Sequence, residues 1–239
     1  MDWMGRHAQV WVAFATTETP PKWLLASLKD NVTMTTGTIL TNETEFRKQI
    51  EEHTHFQRLL NRVKATASFW FDKHELVVQL MDEYAWHTFG IEKETPGANG
   101  IGTLYFHCAM SCVALAHRDG ATHRTRKQQA KKFLKKLKGW ANKGNPNVQH
   151  YESLLEAELA SCNGKPFVVA AKHCECAILM SGRMNFMNGF GLAHEKFGDH
   201  CSRNGDIAGA KDHHQRALES HHAWGAAARV ELLRKRCSL

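Results

Sequence analysis

Four short runs of histidine and cysteine have the side chains of a zinc site. The chain has 16 histidines and seven cysteines, and imidazole and thiolate are common zinc ligands. The runs are His173-Cys174-Glu175-Cys176, His200-Cys201, His213-His214 and His221-His222. Cys174 and Cys176 are two apart on a predicted helix and point to different faces, and no C-x-x-C pair exists. His214 and His221 lie on the predicted packing face, so we predict no metal site.

The residues that could support catalysis are also incomplete. His194-Glu195 begins the H-E-x-x-H pattern of zinc proteases, but Gly198 stands where the second histidine is needed. Cys108 and Cys112 share a predicted helix face; a reactive thiol needs a lowered pKa and an oriented base, and we predict instead that both are buried and unreactive. No phosphate-binding G-x-x-x-x-G-K-[ST] loop, Ser-His-Asp elbow or paired catalytic carboxylates occur. We predict no catalytic residue, no cofactor and no enzyme activity.

A strongly basic segment, residues 124–143, has the chemistry to bind an anion. Helices of this kind lie on anionic membranes, bind calmodulin or contact nucleic acid. The alternative is a packed helix whose narrow apolar stripe faces its neighbours and whose lysines face water, and we favour it because apolar stripes at helical period are usually core. We name Arg126, Lys132, Lys135 and Lys136 as the candidate contacts for an anionic ligand.

Composition indicates a globular all-α protein. Hydrophobic residues make up 43% of the 239 residues, and Pro is scarce at 5. The net charge of +7 suits an anionic partner only where it is concentrated. The seven cysteines lack the spacing of a disulfide framework, and the apolar run 10–15 is too short for a signal core or a membrane span. We therefore expect reduced thiols, a cytoplasmic location and no integral membrane segment.

Two similar stretches with an offset of 41 residues occupy residues 151–222. Ser161, Asn163, Gly164 and His173 recur as Ser202, Asn204, Gly205 and His214. Each copy has the apolar pattern of a helix, a tight turn and a second helix. Because one helical hairpin cannot bury its apolar stripe alone, a repeated hairpin predicts stacking.

The rest of the chain has the same helical character. We predict a helix over 43–71, a turn at Asp72-Lys73 and a returning helix, then a loop over 90–102. The inward stripes of these two helices are Phe46, Ile50, His53, Phe56, Leu60, Val63, Ala67 and Trp70, and Val77, Met81, Tyr84 and Thr88. A hairpin follows with helices over 103–116 and 122–143, and a last helix over 226–236 with Ala227, Val230 and Leu233 inward. This gives two units: an N-terminal partial repeat with an irregular linker, 1–42, and a helical-repeat domain, 43–239. An opening helix is predicted over 2–15; its tryptophans and phenylalanine do not make a polar outer face, so we expect a fragment of a longer array.

The second copy resembles the tetratricopeptide repeat. Gly198 lies at the close-packing position of its first helix, Gly205-Asp206 at its turn, and Ala210 and Ala217 seven apart on its second helix. The aromatic residue expected between the two alanines is His214, and the repeat is longer than the standard one. The resemblance implies a tetratricopeptide-like α-solenoid of stacked antiparallel hairpins.

A wider resemblance extends over most of residues 44–236. The order of Leu104-Tyr105-Phe106, the basic segment 131–141, Asn145-Pro146-Asn147, Leu154-Leu155-Glu156-Ala157-Glu158 and Ala223-Trp224-Gly225-Ala226-Ala227 is similar to the C-terminal helical-repeat region of large predicted AAA-type signalling ATPases. In that family the repeats follow an ATPase module and are commonly joined to kinase, GAF, histidine kinase or cyclase domains. The resemblance implies a scaffold or sensor arm without the ATPase itself.

These observations lead to two hypotheses of different class. The first is a non-catalytic helical-repeat scaffold that mediates protein–protein interaction within, or derived from, a multidomain signalling ATPase. The second is an electrostatic binder of nucleic acid or anionic membrane through the basic segment 124–143, which predicts steeply salt-dependent binding.

Overall fold

The computed structural model describes residues 54–86, 100–118, 120 and 123–237, and all secondary structure within these ranges is helical. The α-helices are α1 Thr54–Trp70, α2 His74–Glu83, α3 Ile101–Arg118, α4 His123–Ala141, α5 Gln149–Cys162, α6 Phe167–Arg183, α7 Met187–Arg203, α8 Ile207–Ala223 and α9 Ala227–Cys237. A 3-10 helix, Pro146–Val148, precedes α5. The predicted N-terminal unit 1–42, its opening helix and most of the predicted loop 90–102 lie outside the described residues.

Helices that follow one another along the chain pack together, as the all-α prediction requires. The predicted inward residues are largely correct: Leu60, Ala67 and Trp70 on α1 and Val77 and Met81 on α2 are buried. The same holds for the 41-residue copies, in which the central stripe residues are buried. The buried residues of these copies are Tyr151, Leu154, Leu155, Leu159, Ala170, Cys174, Ala177, Ala193, Phe197, Ala210, His214, Ala217 and Leu218.

Two details of the prediction are wrong. Helix α3 begins at Ile101 rather than Thr103, because Gly100, with φ +89°, makes the turn and its carbonyl accepts from the Leu104 N–H at 3.0 Å. On the last helix Ala227 is exposed, and the inward residue is Ala226, which is 1% exposed. The turn residue Gly225 directs Ala226 inward, so that positions 226, 230 and 233 form the buried stripe.

The turns between the last five helices share one geometry. Gly164, Asn185, Gly205 and Gly225 each end a helix with a positive φ, between 55° and 83°. The residue after each turn residue donates its N–H to a carbonyl five positions earlier, for example Asp206 to Cys201 at 3.0 Å, which is the Schellman C-cap. Helices α6 to α9 begin at Phe167, Met187, Ile207 and Ala227, 20 residues apart. Because the helices are equally spaced and joined by one type of turn, each reverses the chain direction relative to the helix before it in a similar way.

Glycines let α7 pack directly on its neighbours. The rings of His150, His221 and His214 lie against Gly189, Gly191 and Gly198. A Cβ at Gly198 would overlap the His214 ring, with even Cγ only 2.9 Å away. Small residues are needed where helices cross closely, so these contacts fix how α5 and α8 lie on α7.

The apolar core is centred on α3. Helix α3 contacts α1, α2, α4 and α5, and twelve of its residues are buried. Tyr105 and Phe106 are fully buried there, and one continuous apolar cluster extends from Ala65 to Ala210. A smaller cluster of Ala217, Leu218, Val230 and Leu233 joins α8 to α9. Helix α3 therefore provides the interior against which the basic helix α4 is held.

Candidate functional site

The four predicted anion contacts on α4 fall into two environments. Arg126 is packed at the edge of α2, where its Nη1 donates to Asp82 Oδ2 at 2.7 Å and to Gln129 Oε1 at 2.9 Å. The Lys136 Nζ lies over the ring of Tyr105, 5.2 Å from the centroid. The Trp140 ring stacks on the same Tyr105 ring, with an interplanar angle of 1°. Arg126 and Lys136 therefore hold α4 in place.

Lys132 and Lys135 are exposed, together with Arg124 and Lys131. None of these four residues has a carboxylate partner in the part of the chain that the structure describes. Lys138, by contrast, forms an ion pair with Glu156 of α5. The structure thus brings Lys132 and Lys135 together with Arg124 and Lys131, and separates them from Arg126. We call these four residues the basic face.

The apolar stripe of α4 faces inward, as predicted. Phe133 and Leu137 are 1% and 0% exposed, and Ala130 is fully buried. Trp140 is half-buried by its stacking on Tyr105. The fully exposed positions of the helix consequently carry no aromatic ring; they hold basic residues, Thr125, Gln128 and Gly139.

The thiols of α3 are buried, as the spacing predicts. Burial raises the pKa of Cys112 to about 12 and raises the pKa of Cys108 well above its ordinary value. The Cys112 Sγ lies 3.8 Å from Met81 Sδ. The thiolate is the reactive form of cysteine, and a raised pKa disfavours it. We therefore assign Cys108 and Cys112 to the packing of α3.

The histidine and cysteine runs do not converge. Over residues 54–86, 100–118 and 123–237 no three His, Cys, Asp or Glu side chains are placed to hold one metal ion. Cys174 is buried and Cys176 is half exposed beside Ser153. His214 and His221 each bind a carboxylate of α7: His214 to Asp199 at 3.0 Å and His221 to Glu195 at 3.2 Å.

A buried ion network is centred on Glu195, whose side chain is fully buried. Glu195 accepts hydrogen bonds from Arg229 through Nε at 3.1 Å and through Nη2, and from Arg236 at 2.8 Å. The Arg229 Nη1 also donates to Asp72 Oδ1 and to the Trp70 carbonyl, both at 2.9 Å. We call Glu195, Arg229, Arg236, Asp72 and His221 the Glu195 network.

The Glu195 network connects distant parts of the chain. Arg229 and Asp72 are 157 positions apart, and the Trp70 ring also lies 5.1 Å from the Trp224 ring. In an open repeat array each hairpin contacts only its neighbours. Here the end of α1 and the α1–α2 turn contact Trp224 and Arg229, with helices α3 to α8 between them in the chain, so the described helices do not follow a purely sequential pattern.

Opposite charges keep the buried carboxylates of α5 and α7 ionised. Burial alone would raise the pKa of Glu195, but the adjacent guanidinium groups of Arg229 and Arg236 hold it well below its ordinary value. Burial has the same tendency at Glu158, but the His200 ring, whose Nε2 lies 3.1 Å from Glu158 Oε1, and the charge of Lys196 lower the Glu158 pKa to about 2. A buried charge is tolerated only when it is paired in this way.

Sequence reasoning missed the Glu195 network. His194-Glu195 was considered only as a fragment of a protease motif, and Arg229 was not considered. One signal was present: Arg229 falls on the inward stripe with positions 226, 230 and 233, where a charged residue requires a buried partner. That partner could not be identified from local spacing.

Comparisons with known proteins identify no relative of this chain. No protein-family model matches the chain, and neither the curated proteins nor the solved structures contain a significant match to it. Within the described residues, no helix has both the length and the apolar character to cross a membrane.

Proposed function

We propose that this chain is a non-catalytic helical-repeat scaffold that binds protein. The observation that carries the proposal is the regular succession of α6 to α9: four helices that start 20 residues apart and are joined by Schellman turns. Such a succession builds an extended rigid surface from similar units. Surfaces of this kind are suited to recognising another macromolecule rather than to enclosing a small substrate.

The proposed architecture is a tetratricopeptide-like array of stacked hairpins. Gly198 against His214, and the buried Ala210 and Ala217 on the facing helix, support it, because they occupy the close-packing positions of that repeat. In this proposal the Glu195 network is an addition to the repeat. It fixes the last helix to the turn of the first described hairpin and makes the array more rigid.

The proposed context is a multidomain signalling ATPase or a relative of one. The order of motifs from Leu104 to Ala227 supports this context; the motifs lie on α3, on α4, at the 3-10 helix, on α5 and at the α8–α9 turn. The array would serve such a protein as an arm that positions a partner relative to the catalytic modules.

The experiment is partner capture with the full chain, followed by reconstitution from purified components. Two surface variants test the exposed side chains of α6 and α8, which we call the outer face. One variant changes Val168, Lys172 and Leu179 on α6, and the other changes Lys211, Gln215 and Glu219 on α8, all of which are exposed. A scaffold requires a protein that binds the purified chain saturably and loses that binding in one variant while helix content is unchanged.

Two outcomes would contradict the proposal. One is that no captured protein binds the purified chain. The other is that every captured protein binds both variants and the unchanged chain equally, because a specific interface must depend on some part of the folded surface.

A further inference from the structure

Helix α4 has an excess of positive charge that its own neighbours only partly neutralise. Its 19 residues include eight lysines and arginines and no acidic residue. Asp82 pairs with Arg126 and Glu156 pairs with Lys138. The packing surfaces of α2 and α5 thus supply one carboxylate each, and both are used at the edges of α4.

The basic face consists of the fully exposed basic residues of α4, which have no carboxylate partner among the described residues. Like charges four apart on a helix repel each other, as Lys131 and Lys135 do here, and cost about 0.2–0.5 kcal/mol per pair. Arg124, Lys131 and Lys135 lie within about 40° around the helix axis and span about 16 Å along it. Lys132 lies about 100° around the axis from Lys131, so the four charges cover about that arc of one helix face.

The arrangement of these charges along one helix favours a linear polyanion over a flat anionic surface such as a membrane. A bilayer leaflet presents its charge over a plane, and stable peripheral binding usually combines four to eight basic residues with inserted apolar side chains. No fully exposed position of α4 carries an apolar side chain, and all of these basic residues belong to a single helix. A nucleic acid backbone carries its phosphates in continuous rows at high charge density.

The same surface lacks the means to read bases. Single strands are held by aromatic side chains on which bases stack, and the nearest aromatic residue, Trp140, is engaged with Tyr105. Thr125 and Gln128, which are exposed between the basic residues, can donate hydrogen bonds to phosphate oxygens. We propose that the basic face binds the phosphate backbone of double-stranded nucleic acid without base selectivity.

This activity goes beyond the proposed protein-binding scaffold and does not depend on it. The test measures binding of the purified full chain to two fluorescent 24-base-pair DNA duplexes of unrelated sequence by anisotropy, between 50 and 200 mM salt. Four phosphate contacts give a slope of about −3.6 for log K against log salt, so affinity should fall on the order of 100-fold over this range. Both duplexes should bind equally.

The decisive variant replaces Lys131, Lys132 and Lys135 with Gln. The matched control replaces Lys172, Lys211 and Arg234 with Gln, which removes the same charge from exposed positions on α6, α8 and α9. The first variant should lose about three units of the salt slope and retain only about a fourfold dependence. The control should keep the slope of the unchanged chain, and circular dichroism should show equal helix content in all three.

Four outcomes would overturn the proposal. The chain does not bind either duplex at 50 mM salt; the control variant loses as much slope as the basic-face variant; one duplex sequence is strongly preferred; or phosphatidylserine vesicles or polyglutamate bind more tightly than the duplex. The last result would assign the basic face to a lipid surface or to an acidic protein segment.

Discussion

At the scale of single residues, Glu195 has the largest structural role. We predict that Glu195→Gln lowers the free energy of unfolding by about 3–5 kcal/mol, because it leaves Arg229 buried without its main counter-charge. The matched control is Glu231→Gln on α9, where the carboxylate is exposed and pairs with Lys235 four residues away. The control should cost less than about 1 kcal/mol. Urea unfolding measures both, and equal effects would show that the Glu195 network contributes little.

Buried histidines make the fold sensitive to mild acid. Burial lowers the pKa of His107 to about 3 and that of His150 to about 4, whereas an unfolded histidine has a pKa of about 6.5. Below pH 6.5 the unfolded chain therefore binds protons that the folded chain does not, and stability falls as the pH falls from about 6.5 to about 4.

We predict that His150→Leu reduces the slope of unfolding free energy against pH by up to about 1.4 kcal/mol per pH unit, the contribution of one proton. Among the residues that the structure describes, none forms a hydrogen bond with the His150 ring nitrogens, so their removal should cost little stability at pH 7. Urea unfolding between pH 7 and 4.5 measures the slope. His222→Gln, at an exposed position, is the control and should leave the curve unchanged; a slope unaltered in His150→Leu would contradict the account.

Sequence reasoning at this scale succeeded for apolar residues and failed for charged pairs. The helical period of the apolar residues identified Phe133, Leu137 and Ala217 as inward, because an apolar stripe on a helix usually faces the core. It could not show that Arg126 would be held by Asp82, or Arg229 by Glu195, since these partners are 44 and 34 positions away. Two of the four predicted anion contacts are therefore packing residues.

At the scale of helices, the spacing between α7 and α8 depends on Gly198. We predict that Gly198→Ala lowers the free energy of unfolding by about 1–3 kcal/mol, the usual cost of overpacking. The His214 ring against it is buried and bonded to Asp199, and so cannot move aside freely.

Gly139→Ala on α4 is the matched control. This position is exposed and a Cβ there would meet no atom within 4 Å, so the change should raise stability by up to about 1 kcal/mol through helix propensity. Thermal unfolding of both variants decides the matter. Equal shifts of the same sign would mean that the α7–α8 contact is not tight.

The helices themselves were largely predictable. Glycine and asparagine at the turns and the 3.6-residue apolar period located both copies between 151 and 222, because both signals are local. The start of α3 and the inward residue of α9 were each misplaced by one or two positions, because the conformation of Gly100 and Gly225 decides where a helix begins.

At the scale of the whole molecule, the Glu195 network joins the last helix to the α1–α2 turn. We predict that Arg229→Met increases amide hydrogen exchange in α9 and in residues 71–73, while α3 to α5 stay protected. The stripe residues of α9 would keep their apolar contacts with α8 but lose the fixed attachment to Asp72. Arg234→Met, at an exposed position, should change nothing, and unchanged exchange at 71–73 in Arg229→Met would contradict this role.

The closure of the described helices could not be inferred from repeats. Period and turn spacing specify how each hairpin meets the next one, and they predict stacking. Contact between Trp70 and Trp224 depends on the accumulated rotation of all intervening hairpins, which small changes at each crossing alter. Arg229 and Asp72 became recognisable as partners only in three dimensions.

The most direct test of the scaffold function is a calorimetric titration of the purified chain with its captured protein partner. We expect saturable binding with a defined stoichiometry, which is lost in one of the two outer-face variants and retained in the other. Binding that is not saturable, or that is equal in both variants, would contradict the claim that the stacked helices form a specific protein-binding surface.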